Sequence, residues 1–219
     1  MDKLYYLLIN ENVNNNTFSK LLKLILKEKQ RQIKRFHFAI DKKLSLYAEL
    51  LVRIMACQIL GIDNVEIKFD KLEYGKPYIK NYPDFHYNIT HTRNAVVVAI
   101  SDNPIGVDIE RIRKAELIIA NRFFVTNEQT YINQIIDEAD KRFFEVWTKK
   151  EAYIKYIGKG LSMPLNSFNV LDETISQQMK SFVKDDYIIS VCVECPFKKY
   201  EIIEINEIQV ESMAFSFLK

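Results

Sequence analysis

The stretch "PIGVDIER", residues 104–111, sets two carboxylates two positions apart. Its alternation predicts a strand, entered by a tight turn from Pro104 to Gly106. Val107 and Ile109 would share one face, Asp108 and Glu110 the other. Positions two apart on a strand lie about 7 Å from each other. Carboxylates at that spacing can converge on one hard cation such as Mg²⁺, above all when a phosphate supplies further oxygens. The plainer reading is a solvated strand face. A second stretch, "FFEVWTKKEAYIKYIGKGL", holds Trp147, Glu151 and Lys155 at steps of four. On a helix these form one stripe, rising about 6 Å per step. It is either an exposed Glu–Lys pair beneath a core tryptophan, or a third carboxylate and a cation turned toward the strand. A Glu facing inward without a partner is costly to bury, and a bound metal and phosphate would remove that cost.

A third group lies in "FHYNITHTRN", where His91 stands between Thr90 and Thr92 at a predicted strand end. A histidine beside two hydroxyls can bind phosphate oxygens, although a lone histidine is most often a satisfied polar residue. His37 and His86 have no such setting. The basic stretch "KEKQRQIKRFHFAIDKK" carries Lys27, Lys29, Arg31, Lys34, Arg35, Lys42 and Lys43, too many for one helix face. Most must be solvated, which leaves one or two for a phosphate. "CVEC" (Cys192 to Cys195) lies in a strand-like run. Residues three apart on a strand point to opposite faces, and no second pair completes a tetrahedral metal site.

These groups need elements to hold them. Strands are expected at Leu4 to Ile9, in "VEIKF", "FHYNIT", "AVVVAIS" and "GVDIE", and at Ser167 to Leu171, Tyr187 to Glu194 and Glu201 to Ile205. The segment Ile208 to Phe217 also reads as extended. Helical periodicity runs through "FSKLLKLILKEKQRQIKRF", then from Lys42 to Leu60 behind the capping candidate Asp41, over Glu116 to Phe124, and from Asp140 to Ile157. Gly61 and Gly158 suit the ends of the two long helices. Helices and strands mix in both halves, which predicts an α+β chain in two lobes, 1–103 and 104–219.

The 219 residues are 48% hydrophobic and 27% charged, ordinary for a soluble globular protein. A net charge of +2 argues against a nucleic-acid partner. The apolar run Leu4 to Ile9 is too short for a signal-peptide core, and no run reaches the roughly 18–20 residues of a membrane span. A cytoplasmic protein without a membrane partner is the expectation.

Together and in this order, "YGKP", "NITHT", "GVDIE" and "WTKKEAYIK…GKGL" resemble the surfactin-type 4′-phosphopantetheinyl transferases, over about Lys29 to Leu165. The resemblance implies two similar lobes related by a pseudo-twofold axis, with coenzyme A in the cleft of a monomer. It implies transfer of the phosphopantetheine arm of coenzyme A to a serine of an apo acyl or peptidyl carrier protein, releasing adenosine 3′,5′-bisphosphate. Asp108, Glu110 and Glu151 would hold Mg²⁺. Glu151 would also take the serine proton, and Lys155 would stabilise the pyrophosphate. Thr90 and His91 would bind phosphate oxygens, Lys76 would sit near the nucleotide, and Lys29 with Ser45 would approach the 3′-phosphate. Residues 159–189 would meet the carrier. Gln32 and Leu44 stand where basic residues are common, so Lys34, Arg35 or Lys43 could serve the 3′-phosphate instead. Two other classes remain open: another metal-dependent phosphodiester enzyme such as a nuclease, and a non-catalytic module that binds a carrier protein or RNA. A nuclease would more commonly place its later acid and lysine two apart on a strand, not four apart on a helix.

Overall fold

A computed structural model describes residues 2–12, 14–194 and 201–219, and of Leu161 the backbone alone. The first lobe holds β1 (Lys3–Leu8), α1 (Asn15–Leu22), α2 (Lys27–Lys34), α3 (Ala39–Leu60), β2 (Phe69–Lys71), β3 (Pro77–Ile79), β4 (His86–Thr92) and β5 (Ala95–Ser101). The second holds β6 (Ile105–Arg111), α4 (Leu117–Phe123), α5 (Thr126–Asn133), α6 (Ala139–Ile157), α7 (Glu173–Ser176), β7 (Met179–Lys184) and β8 (Tyr187–Val193). Two last elements, β9 (Glu201–Ile205) and α8 (Glu207–Phe217), return to the first lobe. There β9 pairs in parallel with β1, and α8 lies on α3.

The strand order is β4-β5-β1-β9 in one sheet and β6-β8-β7 in the other, with β2 and β3 as a separate hairpin. Side-chain alternation along the strands separates three cores. Tyr5, Leu7, Val96, Val98 and Ile100 meet α3 in the first. Ile188 and Cys192 meet α6 in the second. Between the sheets, Leu4, Tyr6 and Val97 of one lobe meet Val107, Ile109 and Val191 of the other. The molecule is therefore an α+β stack of helix, sheet, sheet and helix, and the shared middle core joins the two lobes.

Local chemistry ends the long helices where expected. Gly61 and Gly158 both adopt the left-handed conformation, at φ 66° and 78°, which a glycine enters without a Cβ clash. Several expectations are corrected. The long helical run after Phe18 is two helices, α1 and α2, and α3 begins three residues early, at Ala39. "VEIKF" opens with a 3-10 turn, and its pairing starts only at Phe69. Ser167 to Leu171 is a turn and coil, not a strand. Ile208 to Phe217 is helical, because Asn206 and Gln209 form a capping box that a pattern of strand-like residues conceals. Cys192 lies buried in β8, and Cys195 lies outside the described residues.

One buried ion pair fixes α6. Lys150 and Glu128 have fully buried side chains and meet at 2.8 Å. The Lys150 ammonium also donates to the Leu165 and Phe168 carbonyls, while Glu128 accepts from the Val125 and Val170 amides. The pair thus ties α5, α6 and the chain after α6 together. Removing one partner leaves the other charge buried and alone, so Glu128→Ala should cost about 3–5 kcal/mol in urea unfolding. A loss below about 1 kcal/mol, the range of an exposed pair, would contradict this account.

Candidate active site

The site begins with a close approach. A Cβ on Gly106 would lie 2.0 Å from the Ala152 carbonyl oxygen and 2.4 Å from the Tyr156 amide nitrogen. Only glycine lets β6 and α6 come this near. Gly106 lies within β6 and not in the expected entry turn; its work is to admit the helix. Asp108 and Glu110 share its strand face, and Glu151 and Lys155 lie on the facing helix. Trp147, Glu151 and Lys155 are all half-buried, so the stripe runs along the border of the packed face.

Asp108 is the most enclosed of the acids, with its side chain 9% exposed. Its Oδ1 accepts from Lys155 Nζ at 2.7 Å and from Thr90 Oγ1 at 2.9 Å. Lys155 also donates to the Val107 carbonyl at 3.1 Å. Burial pushes the Asp108 carboxyl above its usual range, against the opposing pull of Lys155 and Thr90. Glu110 accepts from Arg113 Nη1 at 3.0 Å and from Thr92 Oγ1 at 3.3 Å. Glu151 has no hydrogen bond or ion pair among the described residues, and it too is raised. Burial is the main cause, and the charge of Asp108 is the next. Asp108 and Glu110 thus each have a cation, and Glu151 alone of the three has none bonded to it among the described residues.

The first lobe supplies the opposite wall through β4. Asn88, Thr90 and Thr92, at steps of two, reach toward β6 together. Asn88 Oδ1 accepts the Val107 amide at 2.9 Å, Thr90 bonds Asp108, and Thr92 bonds Glu110. Side chains here join two sheet edges that the backbones leave apart. His91 points to the other face of the strand and is exposed. Partial desolvation lowers its pKa first; Lys155 and Lys29 lower it further, and Asp41 opposes them. Charges on α2, α3 and α6 are thus all within electrostatic reach of this ring on β4. Lys29 is half-buried while Lys27, Arg31, Lys34 and Arg35 are exposed. Ser45 is half-buried one helical turn beyond Asp41, with no hydrogen bond to the other candidates.

Two lysines stand elsewhere than their charge suggests. Lys43 is buried, donating to the Asn10 and Asn12 carbonyls at 2.7 and 2.8 Å and pairing with Glu207 at 2.7 Å. It clamps the Asn-rich loop to α8, which removes it from the candidates for a 3′-phosphate. Lys76 lines a cavity of ≈ 240 Å³ with Gly75, Asn88, Lys155 and Gly158, but its ammonium bonds backbone carbonyls of the second lobe. Asn88 and Arg113 join the site although neither is among the residues expected there. The period-two run Asn88, Thr90, Thr92 was a usable signal for the first; nothing local marks the second.

Among the described residues, no three His, Cys, Asp or Glu side chains stand close enough to cage a metal ion by themselves. The donors are all carboxylate oxygens; burial raises Asp108 and Glu151, and Glu151 has the neighbouring Asp108 charge as its second cause. That suits a hard ion that takes few protein ligands and completes its shell from phosphate oxygens and water. Acids beside Lys155 can therefore receive a pyrophosphate and a divalent ion together.

Comparison with known proteins agrees with this chemistry. A family model described as "4′-phosphopantetheinyl transferase superfamily" matches residues 104–202, and one described as "4′-phosphopantetheinyl transferase, N-terminal" matches residues 12–103. The chain is 40% identical over 169 residues to "4′-phosphopantetheinyl transferase gsp" of Aneurinibacillus migulanus, covering 77% of this chain and 70% of that one. It is 36% identical over 169 residues to "4′-phosphopantetheinyl transferase Sfp" of Bacillus subtilis (strain 168), covering 77% and 75%. With the acids, the lysine and the two-lobe stack in place, the chain belongs to the 4′-phosphopantetheinyl transferase superfamily.

Proposed function

We propose that this protein moves the 4′-phosphopantetheine arm of coenzyme A onto a serine of an apo acyl or peptidyl carrier protein and releases adenosine 3′,5′-bisphosphate. The observation that carries the proposal is the meeting of Asp108, Glu151 and Lys155 between β6 and α6, opposite Thr90 on β4. The names of the gsp and Sfp relatives support the same transfer. Asp108, Glu110 and Glu151 would hold Mg²⁺, which when bound offsets charge on the pyrophosphate.

The chain's own residues divide the remaining work. Glu151 takes the serine proton as the oxygen bonds the phosphorus that bears the pantetheine; its raised pKa suits a proton acceptor. The bond from that phosphorus to the nucleotide phosphate breaks, and Lys155 stabilises the departing oxygen. Thr90 and His91 bind phosphate oxygens. Lys29, with Ser45, receives the 3′-phosphate, and the nucleotide lies beside Lys76. Residues 159–189 meet the carrier. The enzyme acts as a cytoplasmic monomer in this reading; among the described residues no helix is long and apolar enough to cross a membrane.

The protein, incubated with coenzyme A, Mg²⁺ and a panel of apo carriers, should add phosphopantetheine to at least one, read by intact mass. No adduct on any carrier would sink the proposal. Asp108→Ala and Glu151→Ala should each abolish transfer while circular dichroism stays unchanged; a fully active variant would show that the acids are misassigned. Lys29→Ala should raise the coenzyme A KM about tenfold or more, the loss of one charge-assisted bond, with kcat little changed. An unaltered KM would remove Lys29 from the 3′-phosphate.

A last prediction needs no turnover. The folded protein holds the Glu151 proton more tightly than the unfolded chain, so this group's contribution falls as pH rises through the carboxylate range. In chelator, Glu151→Gln should match wild type in acid, below the ordinary glutamate range, and be the more stable protein at neutral pH. Urea unfolding across that range measures it, and equal stability at neutral pH would mean that Glu151 is under no electrostatic strain.

A further inference from the structure

We infer that Lys76 is a positioning residue, a bolt by which the first lobe holds the start of β6 and the end of α6 in register. The bolt starts from a rigid base. The Leu72 amide donates to the Lys76 carbonyl at 2.9 Å and the Gly75 amide to the Leu72 carbonyl at 2.8 Å, closing the turn between β2 and β3. Gly75 sits at φ 88°, a conformation that other residues resist, and Pro77 pairs with Lys71 directly after the turn.

From that base the side chain crosses to the second lobe. Lys76 Nζ donates to the Ile105 carbonyl at 3.0 Å and to the Tyr156 carbonyl at 3.2 Å. Tyr156 lies in the last turn of α6, where carbonyls lack helical partners and favour a cation. The bonded residues flank the site. Ile105 is followed by Gly106, Val107 and Asp108 along β6, and Tyr156 follows Lys155 directly. The chain after α6 closes over the stem: a Cβ on Gly158 would stand 3.5 Å from Lys76 Cδ, and one on Gly160 would stand 3.5 Å from the Tyr74 carbonyl oxygen. This enclosure pushes the ammonium down to about 8.

The two hydrogen bonds and the close approach at Gly106 therefore complete a loop through both lobes. It runs from the hairpin to the β6 entrance, across Gly106 to α6, and back through Tyr156. Asp108, two residues past Gly106, and Lys155, one before Tyr156, border that loop 2.7 Å apart. Displacement of about 1 Å at reacting groups can cost roughly a hundredfold in rate, so loss of the bolt should act on kcat. A lysine serving as a phosphate ligand would act on coenzyme A binding instead. The kinetic consequence rests on the transferase reading above, whereas the contact itself belongs to the free protein.

Lys76→Met keeps the stem and deletes the donors. In the free protein, hydrogen–deuterium exchange should quicken at 105–110 and 152–158 while α3 is unaffected. In the transfer assay kcat should fall roughly tenfold to a hundredfold, and the Mg²⁺ concentration for half-maximal rate should rise. The preference for coenzyme A over 3′-dephospho-coenzyme A should not change. Lys76→Arg, which retains donors for both carbonyls, should recover part of kcat and slow the exchange again, and it stands in where Lys76→Met does not fold. The inference is overturned by unchanged exchange at both segments, or by a lower melting temperature with intact kcat. It is equally overturned by a raised coenzyme A KM with lost 3′-phosphate preference, or by Arg and Met variants that behave alike. Wild-type inactivity toward every carrier would end the transferase reading, and the exchange data would still decide the bolt.

Discussion

The Asp108 carboxylate is held from two lobes at once: Lys155 grips it from α6, and Thr90 reaches it from the edge of the first sheet. An almost fully buried acid tolerates its charge only with such partners. The contact with Lys155 needs α6 against β6 at a separation that any side chain larger than hydrogen at position 106 would prevent. The contact with Thr90 needs β4 and β6 edge to edge, which the Asn88 bond to the Val107 amide secures. Sheet order, the middle core and the helix–strand spacing thus all meet in one carboxylate.

Around this centre, charge is deployed in two ways. Buried pairs such as Lys150 with Glu128, and Lys43 with Glu207 and two loop carbonyls, are satisfied within the protein and hold elements in place. The acids on β6 and α6 face the cleft instead: burial raises the carboxyls of Asp108 and Glu151, and each is raised further by a neighbouring acid. Lys150 and Glu151 are neighbours in sequence yet belong to opposite groups. One faces the core of its lobe, and the other faces the cleft. A helix turns about 100° per residue, so adjacent charges can serve a scaffold and a site separately.

Much of this was legible in the residues. Period two around Asp108 and period 3.6 through Glu151 placed the acids on a strand and a helix, and both elements formed there. Glycine at 61 and 158 marked the helix ends. Legibility failed where a local pattern had competing solutions. The apolar alternation of Ile208 to Phe217 suits a strand, yet the Asn206 box and burial against α3 favour a helix. Lys43 and Lys29 look alike in a basic run, but one is buried in a structural clamp and the other borders the cleft. Charge counts cannot separate them, because burial is decided by distant elements, here the loop after β1 and α8.

What the sequence alone determined is the inventory and its local geometry: acids two apart on a strand, an acid and a lysine four apart on a helix, hydroxyls beside a histidine. Those relations depend on backbone periodicity, which is set by nearest neighbours along the chain. Only the tertiary structure decided that Thr90 bonds Asp108, that Gly106 admits α6, that Lys76 spends its ammonium on the opposite lobe, and that β9 completes the first sheet. Each of these joins residues far apart in the chain or on separate elements. Their distances follow from how the cores pack, and no periodicity within one segment encodes that.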